Sequence, residues 1–464
     1  MDMANLAGAD EGNMTVSRNF CEDGDWKLAR FLFISELRSA TRICVKISLW
    51  NLLGAERLPQ ESRKKLGIVA LLYFIQGSPP AILWEVLPVY FRFHGVSLRL
   101  IGGLRLLELP YSLKVFWSPV VHRYGDRRIW VATCMLAIAV VVGLLPFMDV
   151  AHPGWIVVAL LLALTTLSAT QDIAIDSYTV GLVRREEEGA ANGVRASAYR
   201  VALVLFGGGM VFLAAALQWT LLYLLAAVLF ALLAFSVLSV PRLDLPVEAR
   251  QEWLAGFVGW IGTWNAIPLV LFVLLYKLGE FAIGPMVKPF WVDYGSSIWP
   301  DKNELMFQIG LVPTTFGILL SISGALAGGA FISRYGTFRG VWVLGLLQAV
   351  SNLGYALVAW AHLGRWGLYG ASVFESFSGG LGTAAFLAFL MNVCQKEHAT
   401  IQYAFLSSIF SLTGRLVGGL SGIAAERFGY GNYFAFTFLL SLPAYALLPW
   451  VKKWIHEDAA SPTP

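Results

Sequence analysis

About a dozen ionisable side chains of this 464-residue chain fall inside long apolar runs. Buried in lipid and unpaired, each costs about 2.5–3.5 kcal/mol at a helix centre, so a dozen left alone would cost roughly 30 kcal/mol or more, beyond any plausible stability. They must face one another or a wet cavity. Asp172 and Asp176 are four apart and share a helix face with Gln171 and Tyr178 close by. Two nearby carboxylates repel, which suits proton binding and release; the alternative is pairing with Lys114, Arg105 or Arg200. Glu85 lies nine residues after Gln76, with Pro79-Pro80 between them. The prolines predict a helix break that opens backbone groups to a ligand, with Glu85 lining a cavity or marking a span end. Arg105 and Glu108, and likewise Lys277 and Glu280, have the spacing of an i,i+3 pair. Lys277, beside Tyr276, could instead hold an anionic substrate group. Gln348 and Asn352 face one way, and Glu375 has no basic neighbour in sequence. Amides and aromatics offer hydrogen bonds and stacking surfaces to a solute, or simply pack helices.

The elements that hold these residues follow from composition. The chain is 57% apolar and 14% charged, with a mean hydropathy of +0.65. A soluble domain averages roughly 45–50% and about 25%. That excludes a disordered protein and argues against a soluble enzyme. Twelve spans of about 20 residues need roughly 240, and 57% of 464 is about 264, which leaves no room for a large soluble domain. The predicted spans are 66–92, 100–121, 129–148, 155–182, 194–217, 219–240, 267–291, 304–333, 340–361, 366–393, 400–425 and 431–452. Their apolar runs are continuous, unlike the alternating pattern of barrel strands, so the expected fold is an all-α membrane bundle of about twelve helices. The longest break, 241–266, begins Pro241-Arg-Leu-Asp-Leu-Pro246 and divides the spans into halves at 66–240 and 267–452, with a tail at 453–464.

Loop charge sets the orientation. With the N-terminus inside, inner segments carry Arg63, Lys64, Lys65, Arg123, Arg127, Arg128, Arg184, Arg185, Arg242, Arg250, Arg334, Arg339, Lys396, Lys452 and Lys453. Outer loops carry Arg92, Arg99, Lys302, Arg365 and Arg427. The bias places both termini in the cytoplasm and accounts for the net charge of +4 without nucleic acid. Residues 1–65 show no signal peptide. Arg38, Arg42 and Lys46 recur every fourth position there, as in a basic helix lying on the membrane; a poorly ordered tail or a misplaced start are the alternatives. Cys21, Cys44, Cys134 and Cys394 have no metal spacing and read as reduced thiols. No nucleotide, hydrolase or metalloprotease motif is present, so neither cofactor nor metal nor enzyme activity is expected, and active transport would draw on an ion gradient.

An internal repeat joins the halves. His122-Arg-Tyr-Gly125-Asp-Arg-Arg128 follows the second span and Ser333-Arg-Tyr-Gly336-Thr-Phe-Arg339 the eighth. Gly329 to Gly336 resembles the loop motif of major facilitator superfamily transporters, with Ser333 where Asp is usual; the first copy has His122 at the acid position and lacks the glycine. The resemblance implies a cytoplasmic gate at Arg123, Gly125, Arg334 and Gly336, with Arg415 near it in a run whose glycines, Gly414, Gly418 and Gly422, form a packing face. Longer strings, Tyr73-Phe-Ile-Gln-Gly-Ser-Pro79, Leu113-Lys-Val-Phe-Trp-Ser-Pro119, Ser168-Ala-Thr-Gln-Asp-Ile-Ala-Ile-Asp-Ser-Tyr178, Leu275-Tyr-Lys-Leu-Gly-Glu280, Gln348-Ala-Val-Ser-Asn-Leu-Gly354 and Gly379-Gly-Leu-Gly-Thr-Ala-Ala-Phe386, resemble the AmpG-type muropeptide permeases. The Gln-Asp-Ile-Ala-Ile-Asp string is shared with acetyl-coenzyme A transporters.

What the resemblance implies is a monomeric inner-membrane transporter in bacteria that imports anhydro-muropeptides with protons, its partners being that solute, protons and the bilayer. Proton coupling is expected at Asp172, Asp176 or Glu85. A cavity is expected from Gln76, Lys114, Gln171, Tyr178, Arg200, Tyr276, Lys277, Glu280, Gln348, Asn352 and Glu375. Transport of another anionic metabolite (acetyl-coenzyme A, a siderophore or a pterin) and a non-transporting sensor are the alternatives.

Overall fold

The computed structural model describes residues 59–184, 187–243, 267–394 and 399–455. The basic segment at Arg38, Arg42 and Lys46, most of the linker after Pro241, and the tail from 456 lie outside these residues. Among the described residues, eleven helices are long and apolar enough to cross a membrane. They are α1 (Gln60–Phe93), α3 (Arg127–Phe147), α4 (Trp155–Leu182), α5 (Glu188–Ala214), α6 (Trp219–Leu238), α7 (Ile267–Ile298), α8 (Lys302–Tyr335), α9 (Thr337–Ala361), α10 (Gly364–Asn392), α11 (Phe405–Phe428) and α12 (Tyr430–Trp454).

The expected second span, α2 (98–123), is a chain of short helical pieces. Gly102-Gly103 ends the first piece, and Pro110 and Pro119 each start another near its first turn. A proline lacks the N–H that continues a helix and clashes with the carbonyl four residues back. Arg99, Arg105, Glu108 and Lys114 further lower the hydropathy of this stretch.

The opposite correction applies to α1. Pro79-Pro80 does not break it: the helix runs on and widens into a π-turn at Ile82–Val86. One extra residue in the turn absorbs the steric conflict the prolines create. α8 does the same at Gly310–Phe316, around Pro313, and α5 has a π-turn at Leu203–Gly208.

Helix packing repeats with a shift of six elements. α3 packs on α4 and α6, and α9 on α10 and α12. α1 lies against α5, and α7 against α11. Across the halves α1 meets α7, α2 meets α11 and α5 meets α8. The Arg-Tyr-Gly repeat obeys the same symmetry. Arg123 lies over the Tyr124 ring at 5.8 Å and Arg334 over Tyr335 at 5.4 Å. The glycines that follow, Gly125 and Gly336, have φ of 77° and 85°, a region that costs an L side chain but not glycine. Gly422 brings α11 onto the Leu98 backbone of α2, where a Cβ would collide with main chain.

The halves are locked where α1 finishes. Arg92 donates through Nε and a terminal nitrogen to both carboxylate oxygens of Asp293, each at 2.6 Å, and to the Val96 carbonyl at 2.9 Å. The Tyr430 hydroxyl adds a bond to Asp293 at 2.6 Å. Nearby, Arg99 pairs with Glu426 at 3.5 Å. Arg92 and Arg99, charges assigned to an outer loop by pattern, are thus interhelical ties. Cys134 and Cys394 are free and buried.

A candidate substrate cavity and its ion pairs

The π-turn of α5 packs against that of α1 and against that of α8. Such bulges turn side chains off the regular helix phase and occur often at functional sites. Beside them is a cavity of about 400 Å³ lined by Glu85 of α1, Tyr199, Arg200 and Leu203 of α5, Glu280 of α7, Pro313 and Ser321 of α8, and Glu375, Ser376 and Thr383 of α10. Both halves therefore contribute to its wall.

Three carboxylates line this cavity, and two of them are matched. Glu85 takes the ammonium of Lys288, a pair that joins α1 to α7 across the halves. Glu280 takes Lys277 and the Gln348 side-chain amide. Lys277 is 3% exposed and also donates to the Thr383 hydroxyl at 2.9 Å, so it stands behind the wall rather than in it. Glu375 receives only the Ser376 hydroxyl at 3.3 Å and has no ion pair among the described residues. Arg200, on the opposite half, has neither a hydrogen bond nor an ion pair among the described residues.

The acids of α4 form a separate network inside the first half. Asp172 pairs with Lys114 of α2. Asp176 accepts the Tyr73 hydroxyl at 2.6 Å and Arg195 at 3.4 Å, and the Arg195 guanidinium lies 4.5 Å from the Tyr73 ring centre. The expected partner Arg200 is corrected to Arg195. Five positions apart, the two point about 140° away from each other on a helix at about 100° per residue. Arg105 pairs with Glu108 at 3.2 Å, as its spacing implies, and not with α4.

Several expected cavity residues lie elsewhere. Gln171 is 1% exposed and points its amide at the Met135 sulfur. Tyr178 donates to the Pro241 carbonyl at 2.7 Å and Tyr276 to that of Val341 at 2.9 Å. Asn352 bonds to Thr437 at 3.0 Å, tying α9 to α12. Gln76 and Lys114 are not on the wall. Gln76 and Tyr276 sit on helices that line the cavity at other positions, whereas α2, α4 and α9 lend its wall no residue, distinctions that residue type does not carry. Arg415 bonds to Ser411 and to Ser112 of α2 and lies over the Tyr111 ring at 5.8 Å. Sequence reasoning missed Lys288, Arg195 and Asp293. Lys288 at least carried a signal, a lysine flanked by Pro285 and Pro289 within an apolar run.

The family model of the Major Facilitator Superfamily matches residues 66–418. The chain is 30% identical over 406 residues to the anhydromuropeptide permease of Escherichia coli K12, covering 84% of this chain and 80% of that protein. It is 26% identical over 412 residues to a putative AmpG transporter of Rickettsia felis, covering 84% and 96%. Among solved structures, a bacterial homologue of the human lysosomal transporter Spinster superposes with a TM-score of 0.68 at 12% identity, over 87% of this chain and all of that one. The chain belongs to the Major Facilitator Superfamily and, within it, to the AmpG-type permeases: it is a multi-pass membrane transporter and not an enzyme.

Proposed function

We propose that this protein imports anhydro-muropeptides with protons, by alternating access, across a bacterial inner membrane. The similarity to the Escherichia coli permease supports the solute. The observation that carries the mechanism is the cavity whose wall is shared by both halves, with the Glu85–Lys288 pair spanning them. Rocking the halves must rearrange this wall. The pairs of Asp172 and Asp176 lie within one half and survive a rigid-body movement, whereas the Glu85–Lys288 pair joins the halves and must rearrange with it.

The arginine and lysine bias of the loops supports both termini in the cytoplasm, which puts the end tied by Arg92 and Asp293 outside. The halves act as 66–240 and 267–452, linked through 241–266, in a monomer. Uptake of labelled anhydro-muropeptide into proteoliposomes under an imposed pH gradient tests the proposal. Accumulation that collapses with a protonophore is expected. Accumulation of acetyl-coenzyme A, a siderophore or a pterin in its place would move the substrate to another anionic metabolite. Folded protein that moves none of them would favour the sensor.

A further inference from the structure

Arg200 and Glu375 line one cavity from opposite halves, and among the described residues neither has an ion-pair partner. The other charges around them are matched. Lys277 and Lys288 of α7, which lie within electrostatic reach of Glu375, are held by Glu280 and Glu85. Glu280 itself is neutralised by Lys277. From α9 the Tyr355 phenol lies within electrostatic reach of Glu375, α5 adds the Tyr199 phenol to the wall, and α8 lines the cavity with the Ser321 hydroxyl and apolar groups. The cavity therefore holds one free cation and one free anion among the described residues, on walls that belong to opposite halves.

We infer that Arg200 and Glu375 are the coupling pair: Arg200 binds an anionic group of the solute and Glu375 binds the driving proton. The inference rests on the transport reading above and deepens it. Closing a cavity around an unmatched charge strips its hydration without replacing it, which strongly disfavours closure. With the carrier empty, the guanidinium of Arg200 and the carboxylate of Glu375 sum to zero and can neutralise each other as the halves close. When a carboxylate of the solute takes Arg200, the sum becomes minus one. Adding one proton to Glu375 turns its carboxylate into a carboxyl and returns the sum to zero. Closure is then cheap for the empty carrier and for the carrier with both anion and proton. It is costly with either one alone. That is obligatory coupling of one proton to one anionic group, obtained without a proton relay.

The test uses full-length protein in proteoliposomes and an anhydro-muropeptide with a free carboxylate as the probe. Two readouts are taken: uptake driven by a pH gradient, and counterflow, which needs no gradient. E375Q mimics the protonated state. It is expected to lose gradient-driven uptake by at least about tenfold, to keep measurable counterflow, and to lose the pH dependence of that counterflow. E375D keeps a carboxyl and is expected to restore part of the gradient-driven uptake. R200Q is expected to raise the KM for the probe at least about tenfold, since it loses a charge-assisted bond. Gradient-driven uptake by E375Q at the level of the unsubstituted protein would overturn the pair. So would an unchanged KM in R200Q. Loss of counterflow in E375Q without rescue by E375D would assign Glu375 to another role and also overturn it. If the unsubstituted protein moves no probe in either assay, the transport reading itself fails; if it shows counterflow without a proton-driven component, coupling fails and the binding role of Arg200 is judged alone.

Discussion

Asp293→Asn breaks the tie that seals the end of the cavity where α1 finishes. Asp293 accepts two bonds from Arg92 and one from Tyr430, all at 2.6 Å, and the Arg92 and Asp293 side chains are 23% and 28% exposed. Near a protein surface two unit charges at about 4 Å attract by about 4 kcal/mol. Desolvation and the hydration regained by separated ions remove most of that, leaving about 1–3 kcal/mol for a bidentate charge-assisted pair. Because α1 and α7 belong to different halves, this energy favours the sealed state alone. The substitution should therefore shift the equilibrium between states by about 5–150-fold toward opening at that end. The assay is electron–electron distance measurement between spin labels at His94 and Arg427, which are exposed at that end on opposite halves. A longer-distance population should grow in Asp293→Asn and in Arg92→Gln, and Arg92→Gln/Asp293→Asn should go little further than either alone, since one bond cannot be lost twice. A distance distribution that stays put in both single variants would show that the pair does not hold this end shut. Additive effects in the double variant would show that the two residues act through separate contacts.

Asp172→Asn leaves Lys114 half-buried and unpaired, and should destabilise the first half by about 2–4 kcal/mol; adding Lys114→Met should recover part of the loss in thermal unfolding of the detergent-solubilised protein, and a double variant no better than the single would refute the pairing. Asp126 precedes α3, accepts the Arg128 amide at 3.0 Å and pairs with the Arg128 side chain at 2.6 Å. Arg128 beside it holds the carboxyl below its ordinary value of 3.8. Its stabilisation is therefore complete above that ordinary value and is lost as pH falls through the lower folded-state value. Asp126→Asn should lower stability by about 1 kcal/mol at neutral pH, and the gap to the unsubstituted protein should close in strong acid. A gap that widens on acidification would refute the assignment.

Pairing by local spacing was legible in the chain, and pairing across helices was not. Arg105–Glu108 and Lys277–Glu280 follow from i,i+3 geometry, and the structure contains both. Lys114 could be named for Asp172 because few cations lie in the first half of the membrane region. Arg195 and Arg200 are both basic residues of one helix, and only the direction each faces separates a partner of Asp176 from a cavity wall. Lys288 and Asp293 find their partners 203 and 201 residues away, on α1. The prolines show the same limit. Pro110 and Pro119 fragment α2, whereas Pro79-Pro80 leaves α1 continuous, because the extra residue of its π-turn absorbs the steric conflict.

The chain by itself determined that this is a helical membrane protein of two repeated halves with too many intramembrane charges to leave unmatched. Hydropathy and the Arg-Tyr-Gly repeat are local properties, and the cost of a charge in lipid depends on residue type and depth. The tertiary structure alone decided which of those charges are matched. Whether a carboxylate is neutralised depends on where a cation from another helix comes to rest. Here packing satisfies Asp172, Asp176, Glu85 and Glu280 and leaves Arg200 and Glu375 without ion-pair partners among the described residues, on the two walls of one cavity.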